Sequence, residues 1–274
     1  MRRSPLVWTF GVSVFFFSFA SAGNSFITLS STTSTQASGF FDYILPLFKQ
    51  KTGIDVHVIA AGTGQALRLA EKGDADALLV HDKAGEMKFV NAGFGVDRRE
   101  MMYNDFVFVG PRADPAGIRG TTDAVAVLKA IGAQRATFVS RADDSGTHRA
   151  ELRLWEEAGV DARAASGTWY KELGAGMGAT LNTAAALDSY TLSDRATWLT
   201  FRNRGDLELL AEGDPRLFNQ YSLILVNPRR HPHVKFNAAS KFVEFLTSTE
   251  GQNAIGEYVV EGTVLFRPNY QKAE

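Results

Sequence analysis

The apolar positions of this chain follow two alternating rhythms. Phe26–Ser30 (FITLS) is short and β-favouring. After the polar run Ser31-Thr32-Thr33-Ser34-Thr35 the spacing becomes helical, with Phe40, Tyr43, Ile44, Leu47 and Phe48 on one side and Gly53 as the stop. IDVHVIA then alternates as a strand, ALRLAEKG reads as a helix closed by glycine, and DADALLVH as a buried strand. AGEMKFVNAG is again helical, and YNDFVFVGP is a strand closed by Gly110-Pro111. Strands and helices alternating over short connections predict an α/β sandwich around a mainly parallel sheet. After Pro111 the pattern restarts, with DAVAVLKAIG as a helix, QRATFVS as a strand and GTHRAELRLWEEAG as a helix ending at Gly159. A loop with Trp169 and Tyr170 leads to GAGMGATLNTAAALD, a helix with a glycine-rich entry. ATWLTF and LELLAEG are short elements of the same half. YSLILVNP is a strongly apolar strand, and AASKFVEFLTSTEGQNAIGEY is one or two amphipathic helices. The restart predicts two α/β lobes, with no internal repeat, low-complexity tract or floppy linker between them.

The first residues follow a different rule. Arg2 and Arg3 precede an apolar run from Leu6 to Ala20, and Ala20-Ser21-Ala22 stands before Gly23. Basic start, apolar middle and small-residue cleavage signal predict a secretory signal peptide over residues 1–22; the run is short for a membrane-spanning helix. The alternative is an uncleaved anchor. No cysteine follows the cleavage signal, so a bacterial lipoprotein is excluded, and an exported, periplasmic mature chain is expected.

Composition narrows the chemistry. The 274 residues are 45% hydrophobic, enough for one large core or two modest ones, and the net charge of −1 gives no bulk attraction to nucleic acid or an acidic membrane. Any anion site must be local. With no cysteine, disulfides, thiolate metal sites and cysteine nucleophiles are excluded, and none of the five histidines has the spacing of an HExxH zinc site.

One stretch, SRADDSGTHRAE from Ser140 to Glu151, concentrates candidate chemistry where a helix starts. A helix N-terminus leaves N–H groups unpaired and carries partial positive charge. Asp144 or Ser145 can cap it, Gly146 lets a ligand approach the backbone, Thr147 adds a hydroxyl, and Arg141 adds a charged fork that Asp143 could hold in place. Together they form an anion cradle; the plainer reading is an ordinary cap beside a surface arginine. STTST, AGTGQ and MGATLN repeat the theme of small hydroxyl residues before a helix, and ligands of open α/β sheets bind beyond the strand ends.

The run STTSTQASGFFDYILPLFKQKTGIDVHVIAAGTGQALRLAEKGDADALLVHDKAGEMKFV, YNDFVFVGP, SRADDSGTHRAELRLW and MGATLNTAAALDSYTLSDRATW together resemble the tungstate-binding proteins of bacterial ABC importers, the TupA family. That family carries a Thr-Thr-Ser motif matched by Thr32-Thr33-Ser34. The similarity spans essentially the whole mature chain. It implies a type II periplasmic binding-protein fold whose lobes close on the ligand by a hinge. With it, lobe one is expected over residues 23–110 and 221–274 and lobe two over 111–220, with crossings near Gly110-Pro111 and Gln220-Tyr221. By this resemblance Thr33 and Ser34, with Thr63 or Gly64, bind an oxyanion from lobe one. Arg141, Ser145, Gly146 and Thr147 bind it from lobe two, and Asn182 and Tyr190 are looser candidates, Tyr190 being equally a packing residue. The resemblance also implies delivery to an ABC permease with its ATPase, no cofactor, and a monomer.

Tungstate and molybdate at neutral pH are dianions that only accept hydrogen bonds, whereas phosphate keeps a proton and gains from an acceptor carboxylate. A donor-only site therefore requires Asp143 to turn onto Arg141 and Asp144 to cap backbone outside the pocket. Arg141-x-Asp143-x-Ser145-Gly146-Thr147 is also similar to an element of phosphate binders, so a phosphate-binding protein stays open, as does an oxyanion sensor. Nothing in the sequence separates tungstate from molybdate. A secreted hydrolase built on Asp144, Ser145 and His148 lacks a GxSxG elbow or a phosphate loop, and His148 reads as a solvated first-turn residue. His81-Asp82 lacks a third metal ligand and reads as a strand-end cap.

Overall fold

The computed structural model describes residues 25–260 and 262–271; the signal peptide read over 1–22 lies outside them. Strand β1 (Phe26–Thr32) lies between β2 (Asp55–Ala61) and β3 (Ala77–Val80), parallel to both. The connections are helices α1 (Thr33–Ala37), α2 (Phe40–Thr52), α3 (Thr63–Glu71) and α4 (Lys83–Asn91). The polar STTST run ends β1 and enters the single turn of α1, because Thr32 Oγ1 accepts from the Thr35 N–H. Gly53 ends α2 at φ 71°, a left-handed conformation that favours glycine.

The long strand β4 (Gly95–Pro111) then leaves the first lobe for the second. There the chain forms α5 (Ala124–Gln134), β5 (Phe138–Ser140), α6 (Gly146–Ala158), β6 (Tyr170–Glu172), α7 (Met177–Ala186), β7 (Thr191–Asp194), α8 (Arg195–Thr200) and β8 (Leu207–Ala211). Strand β9 (Phe218–Val226) brings it back, followed by α9 (Phe236–Thr247), α10 (Thr249–Glu257) and the short strands β10 (Val259–Val260), β11 (Thr263–Val264) and β12 (Arg267–Pro268).

The α/β class is as expected, but the sheet is mixed. β1, β2 and β3 are parallel, as are β5 and β6; β9 is antiparallel to β3, and β4 is antiparallel to β7, β8, β9 and β12. The physical reason is the route. One strand carries the chain out and another carries it home, so the two run in opposite directions.

Strand β4 serves two cores. Met101 and Met102 pack with Phe40, Phe48, Leu223 and Phe242, whereas Phe106 and Phe108 pack with Leu128, Ile131, Phe138 and Trp155. Its pairing changes at the same place: Asp105 opposes Phe218 of β9, and Phe106 opposes Asp194 of β7. The exchange therefore lies upstream of Gly110-Pro111, which stays inside the second lobe's ladder opposite Glu208 and Leu207. The return likewise begins at Phe218, ahead of Gln220-Tyr221. A Gly-Pro pair at a strand's end punctuates the strand without marking a change of core. Arg195 grips Asp105 with two bonds of 2.6 Å at this exchange point.

Candidate functional site

The site forms where the start of α6 in lobe two meets α1, α3 and the end of β3 in lobe one. β5 ends at Ser140, and the turn that follows places Ala142 (φ 49°) and Asp144 (φ 57°) in the left-handed region, a conformation with a cost for side-chain-bearing residues. This turn carries Arg141 inward, leaving it 1% exposed. Its Nη2 donates to Asp143 Oδ2 at 2.6 Å and to Thr33 Oγ1 of the other lobe at 3.3 Å. Its Nε and Nη1 are buried without a hydrogen-bond acceptor among the described residues. Thr147 is fully buried, and its Oγ1 also lacks a partner. Buried donors of this kind cost free energy until an acceptor reaches them, and a charged donor costs most.

His148 Nε2, one turn into α6, is likewise buried without a partner among the described residues, whereas the Ser145, Gly146 and His148 N–H groups of the α6 entry are paired. Ser145 is the N-cap, its Oγ accepting from the His148 N–H at 3.2 Å, and Asp143 Oδ1 accepts from the Ser145 N–H at 3.2 Å. The Gly146 N–H donates across the lobes to Thr63 Oγ1 at 2.8 Å, which leaves the Thr63 hydroxyl hydrogen free to point elsewhere. The Gly64 N–H donates to the Asp144 carbonyl at 3.3 Å. A Cβ on Gly146 would sit 2.8 Å from His81 Nδ1 and Cε1, and one on Gly62 2.8 Å from the Asp143 carbonyl oxygen. Glycine lets the Asp143 carbonyl approach the chain at Gly62, and the His81 ring and carbonyl approach it at Gly146.

On the lobe-one side, Ser34 Oγ lies 3.0 Å from His81 Nε2, and His81 Nδ1 lies 2.9 Å from Asn219 Oδ1. A carbonyl oxygen only accepts, so in this arrangement Nδ1 carries the hydrogen and Nε2 accepts from the Ser34 hydroxyl. His81 is buried and stacks on Tyr221 with ring centres 4.6 Å apart. Burial is the main reason its pKa falls to about 4; the Asn219 hydrogen bond opposes this, the Arg141 charge adds to it, and Asp82 opposes it. The imidazole is thus neutral at physiological pH.

An ionic shell surrounds the site. Arg149 of α6 binds Asp144 through Nε at 2.8 Å and Nη2 at 3.0 Å, and reaches across to Asp82 of lobe one through Nη1. Hydrogen bonding to Arg149 is the leading cause that holds the Asp144 carboxyl below its ordinary pKa. Deeper in lobe two, Glu151 is fully buried and accepts from Ser140 Oγ (2.8 Å), Tyr170 Oη (2.7 Å) and Trp155 Nε1 (3.2 Å). Burial outweighs those bonds and pushes its pKa up to about 7.

The structure brings Thr33, Ser34, Thr63, Gly64, Arg141, Ser145, Gly146 and Thr147 to this lobe contact, and it places two candidates elsewhere. Asn182 is exposed on the outer side of α7, accepting from Asn203 Nδ2 at 2.7 Å. Tyr190 is a packing residue: its hydroxyl accepts from the Ala116 N–H at 2.8 Å and donates to Asp114 Oδ1 at 2.9 Å. Asp143 does turn onto Arg141. Asp144 faces away as a salt-bridge partner of Arg149, because a nearby arginine outcompetes a backbone N–H. His148 is half-buried, contrary to the solvated reading, and its Nδ1 accepts from the Asp144 N–H at 3.2 Å. His81 is no strand-end cap, and with Asn219 it is the residue the sequence did not place at the site; the only signal was a histidine ending an apolar strand. Among the described residues no group of three or more His, Cys, Asp or Glu could hold a metal ion.

Comparison with known proteins identifies the family of the chain. Residues 18–250 match the PBP superfamily domain. The tungstate-binding protein TupA of Peptoclostridium acidaminophilum is 45% identical over 250 residues, covering 90% of this chain and 86% of that protein. Among solved structures, the tungstate-binding protein TupA of Desulfovibrio alaskensis G20 aligns with a TM-score of 0.77 at 44% identity, covering 90% of this chain and all of the other. The tungstate ABC transporter structure from Geobacter sulfurreducens aligns with a TM-score of 0.78 at 47% identity, covering 85% and 98%. With its two cores strung on β4 and its buried donors at the lobe contact, the chain belongs to the PBP superfamily and, within it, to the TupA family of tungstate-binding proteins.

Proposed function

We propose that this chain is the exported solute-binding protein of an ABC importer, that it closes on one tungstate ion, and that it delivers the ion to a membrane permease as a monomer. The observation that carries the reading is Arg141, a guanidinium 1% exposed whose Nε and Nη1 have no acceptor among the described residues. The Thr147 hydroxyl beside it is in the same position. A fully deprotonated tetrahedral dianion supplies acceptors to all of these, beside the Asp143 carboxylate that already pairs with Arg141 Nη2. Molybdate, equal in charge and close in size, fits the same donors. Phosphate fits less well, since the carboxylate paired with Arg141, Asp143, already accepts from Arg141 through Oδ2 and from the Ser145 N–H through Oδ1.

Capture involves no chemistry on the ion. Ser145 Oγ is occupied as a helix cap, and Asp144 is held by Arg149, so the Asp-Ser-His set of the hydrolase reading is not assembled. The test is calorimetric titration of the chain from Gly23 with tungstate, molybdate, phosphate and sulfate in separate runs. Tight tungstate binding with weak or absent phosphate binding is the expected result. Tight phosphate binding without a tungstate response would move the protein to the phosphate binders.

A further inference from the structure

Ser34 poses a problem for a donor-only site. In the arrangement described above its single hydroxyl hydrogen goes to His81 Nε2, so Ser34 offers the anion a lone pair instead of a donor. The chain of bonds continues inward. Asn219 Nδ2 donates to Asn104 Oδ1 at 2.7 Å and to Tyr221 Oη at 3.2 Å, and it ends on a defect: the buried Asn104 Nδ2 has no partner among the described residues.

Turning over the two amides reverses every bond. Asn104 Nδ2 would then donate to Asn219 Oδ1, which also accepts from the Tyr221 hydroxyl, and Asn219 Nδ2 would donate to His81 Nδ1. His81, now in its Nε2–H tautomer, would donate to Ser34 Oγ, and the Ser34 hydrogen would be released from His81, free to turn from Thr32 Oγ1, 3.1 Å away, to an anion. All heavy-atom distances are unchanged. The unpaired group at the far end becomes a carbonyl instead of an N–H, the less costly orphan. No proton is gained or lost, in keeping with a histidine that burial keeps neutral.

We infer that His81 is a positioning residue whose neutral Nε2–H tautomer, set by the Asn104–Asn219 amide chain, turns the Ser34 hydroxyl into a donor when a fully deprotonated oxyanion is bound. The inference rests on the oxyanion reading and names the group that makes the lobe-one side donor-only. It also gives the site a selective sense. An anion that keeps a proton would be met by the opposite direction of the chain, with Ser34 accepting.

Long-range 1H–15N correlation spectra of the wild-type protein, recorded free and with saturating tungstate, read the tautomer directly. The His81 signals are assigned by their loss in His81→Phe. The expected result is Nε2–H in the tungstate-loaded protein. Nδ1–H, or a doubly protonated ring, in the loaded protein would overturn the inference while leaving tungstate binding intact. Absence of tungstate binding in the calorimetric titration would overturn the oxyanion reading and this inference with it. Affinities give a second test. Ser34→Ala should weaken tungstate binding by about tenfold or more, and adding His81→Phe should weaken it little further, since His81 acts through Ser34. Fully additive losses would mean that His81 acts on its own.

Discussion

Arg141 and Thr147 separate binding from folding at the scale of single residues. Arg141→Ala removes the one full charge among the buried donors. It should weaken tungstate binding by roughly 2–5 kcal/mol, the range for losing one partner of a buried charged contact; unchanged affinity by calorimetry would remove Arg141 from the site. Thr147 is sharper still. Its Oγ1 has no partner among the described residues, so Thr147→Val, which keeps the shape, should hold or raise Tm while costing about 1 kcal/mol or more of affinity. A fall in Tm with unchanged affinity would make Thr147 a structural residue. Glu151 tests the electrostatics of the lobe-two interior. Its pKa is raised from 4.5 to about 7, so the folded state holds a proton that the unfolded state has released. That contribution to stability is present in full below pH 4.5 and is lost as pH rises through about 7. Glu151→Gln copies the protonated form, donating where the acid proton would. Its stability relative to wild type should therefore climb by roughly 3 kcal/mol between pH 4.5 and 8, measured by urea unfolding.

Elements show how far the sequence could be read. The helical spacing of Phe40, Ile44 and Phe48, and the glycine stops at Gly53 and Gly159, located α2 and α6 because those signals are local. So was the cradle at Arg141–Thr147, whose residue types carry their own chemistry. The parts that stayed hidden depend on distant partners. β7, for which the local sequence gives no strand signal, is a strand only because β4 lies beside it, and the reach of β4 back to Gly95 is set by β9. Asn182 was drawn in by its position on a glycine-led helix, yet nothing local tells which side of α7 faces the other lobe. His81 became part of the site through Asn219, far along the chain. The start of α6 yields the test at this scale. Gly146→Ala should favour the isolated helix, but the added methyl would press on the His81 ring and its carbonyl oxygen, 2.8–3.0 Å away. Tungstate affinity should therefore fall at least tenfold while Tm holds, because the clash exists only when the lobes meet. Equal affinity would show that α6 and His81 need not come this close.

For the molecule as a whole, Arg149 ties lobe to lobe through Asp82, whose side chain is only 3% exposed, while Arg153 stays 3.9 Å from the same carboxylate. Arg149→Ala leaves that carboxylate poorly paired only in the closed form. Stopped-flow measurements should show tungstate leaving about tenfold faster with the association rate little changed; an altered association rate alone would place Arg149 in capture instead of retention. The close contacts at Gly62 and Gly146 bear on something different. Two jaws that stop on the Asp143 carbonyl and on the buried His81 ring and carbonyl, not on exposed flexible side chains, close to a fixed aperture, and the protein then works as a caliper. An ion too large for the aperture would prop the jaws apart and forfeit the Thr63–Gly146 and Gly64–Asp144 bonds. One with shorter bonds, such as sulfate, would rattle short of the Arg141 fork. Such a gauge rejects by size without touching charge, and it passes two metal oxyanions of nearly equal radius alike.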